Sequence, residues 1–280
     1  MTKGLAYQRA LGANPYKLGF VGGTDNHNGA PSDVVESNYS GSHGAADRSV
    51  KDRREGEIDG WVKGAESNPG SLTGVWATKN TRGAIYDAMA ARETFATSGT
   101  RIKPRFFAGA ALSATKDPAA LVKEGYAGGV AMGGTLSKLK APPSFTFHAM
   151  KDPDGANLDR LQIVKGWVDP SREPQERIIN VAWSGERQRD GTGKLPAVWN
   201  TVDLKTATFT NAIGATELIG HWTDDQFDAN QPALYYVRVL EIPTPRWTKY
   251  DAVKNGLPLL DSVPAVIQER AWTSPIWYTP

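Results

Sequence analysis

Asn14-Pro15-Tyr16-Lys17-Leu18-Gly19-Phe20-Val21-Gly22-Gly23-Thr24-Asp25-Asn26-His27-Asn28-Gly29 is the stretch on which the reading of the fold turns. Asn14-Pro15 reads as a turn, residues 17–21 as a short buried strand, and residues 22–29 as a polar loop leaving its C-terminal end. Upstream, residues 2–11 read as a helix with Leu5, Ala6, Ala10 and Leu11 on one side and Gly12 as its stop. Helix, turn, strand and polar loop make one αβ step, the unit that barrels and open α/β sheets repeat.

Downstream, residues 28–75 are polar and rich in Gly and Ser, a length of loop that in a compact domain is either a functional cover or unstructured. A helical pattern begins at Asn80-Thr81-Arg82, with Ala84, Ile85, Ala88 and Met89 spaced by three and four, Asn80 as N-cap and Arg92 as its close. After about residue 100 the pattern changes. Residues 144–150, 158–168, 177–183 and 234–242 alternate or run apolar over strand lengths, between turn signals such as Asp152-Pro153-Asp154-Gly155. The expected class is α+β, with residues 1–100 as part of a β/α unit and residues 101–280 as an antiparallel β-sandwich-like domain.

The chemistry that stands out is Asp25-x-His27. In extended backbone, residues two apart share a side, so a carboxylate and an imidazole can converge on one point. Those are ligand types for Zn, Mn or Fe, and the end of a strand is where α/β folds place their chemistry. The plainer reading is that Asp, Asn and Gly after a strand only build a turn.

Composition narrows the classes. The chain has 280 residues, 40% hydrophobic and 22% charged, with 29 Gly and 18 Pro, which favours short elements and many turns. A net charge of +2 without charge runs offers no footprint for nucleic acid. No apolar stretch reaches membrane-spanning length, and the N-terminal residues do not read as a secretory signal. With no cysteine, disulfides, thiolate metal sites and a cysteine nucleophile are excluded. Four histidines, His27, His43, His148 and His221, make any metal site carboxylate-rich, small or incomplete.

The run 14–29 resembles a bacterial family catalogued as domain of unknown function 3604. Further matches are Gly74-Val75-Trp76-Ala77, Asn80-Thr81-Arg82, Ala91-Arg92-Glu93-Thr94-Phe95-Ala96-Thr97-Ser98-Gly99, Lys151-Asp152-Pro153-Asp154-Gly155, Glu241-Ile242-Pro243-Thr244-Pro245-Arg246-Trp247 and Thr273-Ser274-Pro275-Ile276-Trp277-Tyr278. That family resembles the polymerase-and-histidinol-phosphatase (PHP-like) superfamily of distorted β/α barrels with metal centres. The resemblance implies that residues 1–100 are a barrel remnant and that Asp25 and His27 match the superfamily's last metal motif. The superfamily's first motif, His-x-His, is absent, so the resemblance covers a C-terminal portion whose metal binding is expected to be weak.

The expectation is therefore a fragment of a metal-dependent hydrolase with Mn, Zn or Fe as cofactor. Its substrate would be a small-molecule ester of phosphate, sulfate or a related acid, with no nucleic-acid or membrane partner. His43, in the long loop, could fold over the metal or simply face solvent. Arg101 is the expected substrate-anion contact, beside the hydroxyls of Thr97-Ser98-Gly99; ordinary surface pairing is the alternative. His148, His221 and the nine tryptophans read as structural. Neither a serine-hydrolase elbow nor a dinucleotide glycine pattern is present. Two readings compete with the hydrolase: a non-catalytic β-sandwich binding module, and a homodimer that covers exposed barrel edges and completes a shared site.

Overall fold

The computed structural model describes residues 1–30, 34–58, 60, 62–169, 171 and 173–280. Helix α1 (Thr2–Leu11) forms where the apolar spacing places it, and Gly12 closes it at φ 74°. Leu5 is fully buried and packs with Val168, Leu234 and Trp277, so α1 lies on a sheet.

Residues 17–21 are not a strand. Leu18 and Val21 are exposed, and side-chain hydroxyls rather than a backbone ladder hold the segment. Ser274 Oγ accepts from Phe20 N at 2.8 Å, Thr94 Oγ1 donates to Phe20 O at 2.8 Å, and Thr73 Oγ1 both accepts from Gly22 N and donates to Gly22 O. Gly22 is required at this crossing, because a Cβ there would sit 2.6 Å from Leu72 O.

The stretch 28–75 is likewise more structured than its composition suggests. It carries α2 (Val50–Glu55), the hairpin of β1 (Glu57–Ile58) and β2 (Val62–Lys63), two short 3-10 turns, and β3 (Leu72–Val75). Next come α3 (Arg82–Ala90), capped by Thr81 rather than Asn80, and β4 (Thr94–Thr97).

Strand β5 (Lys103–Gly109), helix α4 (Pro118–Gly128) and strands β6 (Gly129–Ala131) and β7 (Thr135–Ser137) follow. Then β8 (Ser144–Met150), β9 (Leu158–Val168), β10 (Pro174–Trp183), β11 (Glu217–Thr223) and β12 (Ala233–Glu241) occupy the segments whose alternation predicts strands, with β11 added. The chain ends with β13 (Thr244–Pro245), α5 (Trp247–Asn255), β14 (Val266–Ile267), β15 (Arg270–Thr273) and β16 (Ile276–Thr279).

The larger sheet runs β10-β9-β12-β15-β4-β3, with β16 beside β12 and β7 parallel to β16; the smaller runs β11-β8-β5-β6. Apart from the β7–β16 pair, the pairings are antiparallel, and the architecture is mixed helix and antiparallel sheet with neither sheet closed. Strands β3 and β4, from residues 1–100, share a sheet with strands from residues 101–280. Phe106, Phe145 and Phe147 from the smaller sheet and Leu161, Ile163, Tyr235, Val237 and Val239 from the larger form one core. Within it a buried Lys165 Nζ meets Asp224 Oδ2 at 2.6 Å, and Tyr235 OH donates to the same oxygen.

Candidate functional site

Asp25 and His27 do meet: His27 Nε2 is 3.3 Å from Asp25 Oδ1. The cause differs from a strand pleat. Asp25 sits in the left-handed region at φ 49°, a conformation that Asp tolerates better than most residues, and the turn folds its carboxylate back toward the imidazole. His27 N donates to Ser42 O at 2.7 Å, which draws the 41–47 turn alongside. The rings of His27 and His43 then lie with centroids 4.9 Å apart.

His43 is held from behind. Buried Asp47 accepts from Ser42 N at 2.6 Å and from His43 N at 2.8 Å, and Ser42 Oγ lies 2.8 Å from His43 Nδ1. The hydroxyl occupies Nδ1 and leaves Nε2 as the nitrogen open to a ligand, the way outer partners orient metal-binding imidazoles. One carboxylate and two imidazoles are the right donor types for a divalent transition metal. Among the described residues, however, no group of three or more His, Cys, Asp or Glu side chains has the spacing of a finished metal site. Asp25 is almost fully exposed and contacts His27 directly.

Arg101 lies elsewhere. Its backbone N–H donates to Asp152 Oδ2 at 2.7 Å, and it lines a 180 Å³ cavity together with Glu36, Glu241, Glu269, Asp152 and Asp154. None of Asp25, His27 or His43 lines that cavity. Ser98 Oγ, expected beside an anion, donates to Glu269 Oε2, and Arg92 donates to the carbonyls of Gly133 and Lys17. A second, more open cavity of 740 Å³ shares Glu36 and Glu269 and adds Arg246, Arg270 and Trp272.

This acidic cluster escapes a local reading of the sequence. Burial, then the charge of Glu269, push the Glu36 and Glu241 carboxyls up to about 8, and burial also raises Glu269. Glu241 and Glu269 are 28 residues apart, joined by the backbone bond Glu241 N to Glu269 O at 2.9 Å. The one local signal is a carboxylate inside the apolar run Val239-Leu240-Glu241-Ile242.

His148 faces away from Phe145 and Phe147, with Nε2 3.4 Å from Glu217 Oε2, and His221 Nε2 lies 3.0 Å from Leu112 O. The fold and its polar clusters thus describe a chain of mixed helix and antiparallel sheet with two separate groups of chemically useful side chains. The chain belongs to the family described as protein of unknown function, DUF3604, whose sequence profile matches residues 1–280. No curated protein and no solved structure matches it.

Proposed function

We propose that this chain carries part of the metal centre of a hydrolase of PHP-like type, acting on a phosphate, sulfate or related ester. The observation that supports the reading is the meeting of Asp25 with His27, and the His43 ring beside that of His27 from a second loop, with His43 oriented by Ser42 and Asp47. Asp25 and His27 would hold a Mn, Zn or Fe ion, and His43 would add a third donor. What such an ion supplies is acidification of water and positive charge for a developing oxyanion. On this reading the N-terminal part is a β/α barrel remnant, and a homodimer covering its exposed edges is the expected assembly.

Metal analysis of protein purified without chelator tests the reading. Bound Mn, Zn or Fe should approach one per chain and fall at least about tenfold in Asp25→Asn, which keeps the left-handed turn. Nitrophenyl phosphate, sulfate and acetate with added metal then report the ester class. Metal content that is unchanged in Asp25→Asn and in His27→Ala would remove the proposal, leaving the β-rich binding module as the better account.

A further inference from the structure

The 180 Å³ cavity gathers three of the sequence stretches quoted above, 97–99, 151–155 and 241–247, at one place. Among the described residues its lining carries five carboxyl groups, Glu36, Asp152, Asp154, Glu241 and Glu269, against the single cation Arg101, which is exposed. The carboxyl groups differ in what satisfies them. Asp152 accepts from the backbone of Arg101 and Asp154, Glu36 from Trp247 N, and Glu269 from Ser98 Oγ.

Glu241 is the exception. It is 1% exposed, yet its Oε1 has no hydrogen-bond partner among the described residues. The Thr100 hydroxyl is near enough to favour the carboxylate, but it too lacks a partner with hydrogen-bond geometry. Nearby cations are committed elsewhere: Lys151 to the carbonyls of Asp152, Pro153 and Gly155, and Arg246 to those of Ala65 and Ser67. A buried, unpartnered carboxyl oxygen on a cavity wall is costly and points to a donor that the described residues do not supply.

We propose that this cavity binds a small primary alkylammonium ligand, whose N–H groups supply the partner that Glu241 lacks. The remaining lining fits the alkyl part. Val34, Val35 and Phe209 offer apolar contact, and Phe209 and Tyr250 are of the residue type whose rings attract a cation. A metal ion fits less well, because the carboxylates do not gather with metal-ligand spacing. In the empty protein at neutral pH the Glu241 carboxyl holds its proton. Seating an ammonium ionises the acid and passes that proton to the buffer.

The test is calorimetric titration of the full chain at neutral pH with putrescine and with butylamine, in two buffers of different ionisation enthalpy. Butanol, calcium and manganese serve as comparators. The amines should bind saturably with release of about one proton per ligand, and butanol should not bind. Glu241→Gln, close in shape, should weaken the amines at least about tenfold without lowering the melting temperature. Asp25→Asn should leave amine binding intact, which separates this site from the metal proposal. Absence of amine binding at millimolar concentration, or calcium or manganese binding that Glu241→Gln abolishes, would overturn the assignment.

Discussion

Glu241 closes β12 with its side chain inside the protein, and its consequence for stability follows from where its proton goes. Unfolded, the carboxyl ionises near its ordinary value of 4.5; folded, it keeps its proton until about 8. Between those values unfolding releases a proton, so rising pH favours the unfolded chain, and the stabilisation present at pH 4.5 is gone above pH 8. Glu36 acts in the same direction and window. The cost for Glu241 is on the order of a few kcal/mol across the window. Urea unfolding midpoints should therefore fall from pH 5 toward pH 9, and Glu241→Gln should flatten part of that slope. An identical slope in the variant would mean that Glu241 is ionised in the folded protein.

The same scale shows how much of the candidate sites was legible. Asp25 and His27 are two positions apart, so their meeting needs only a local turn. His43 needs the bond from His27 N to Ser42 O, which no spacing reveals. Glu36, Glu241 and Glu269 come from three distant segments, and their shared environment exists only once β12 and β15 are side by side.

At the scale of elements, β3 depends on a residue without a side chain. Gly74 pairs directly with Phe95 on β4, and a Cβ at position 74 would lie 1.9 Å from the Phe95 ring. The ring is buried and also packs on Trp76 at 6.0 Å between centroids, so it has little room to swing away. Gly74→Ala should cost about 1–3 kcal/mol by overpacking, measured by urea denaturation. Phe95→Leu in the same chain should recover part of it as a non-additive coupling. Simple additivity would show that the ring moves freely.

Elements were legible where apolar residues recur over a strand's length between turn signals. Residues 144–150 and 158–168 follow that pattern, and β8 and β9 match those bounds, buried along almost their whole length. Residues 17–21 have apolar content but face solvent at Leu18 and Val21, and hydroxyls replace the backbone ladder that would have made a strand. The 28–75 stretch misleads for a related reason: its order comes from contacts nearly 200 residues away along the chain, which local composition does not record.

Those distant contacts organise the whole molecule. Arg53 on α2 makes a two-pronged pair with Asp251 on α5, Nε to Oδ2 at 2.7 Å and Nη2 to Oδ1 at 3.0 Å, with both side chains about 10% exposed. Arg54 donates to the carbonyls of Thr248 and Pro258, and Arg246 reaches back to Ala65 and Ser67. Helix α5 is thus the anchor for a segment that carries His43 of one proposed site and Val34 and Glu36 of the other. Removing one partner of a buried pair strands the other charge, at a cost of about 3–5 kcal/mol. Asp251→Ala should therefore loosen residues 34–58 first, because the two-sheet core shares no side chain with that pair. Hydrogen exchange should accelerate in 34–58 while β8 and β9 stay protected, and both metal content and putrescine affinity should fall together. Uniform acceleration across the core, or loss of one binding activity with the other intact, would show that α5 does not hold this segment as a unit.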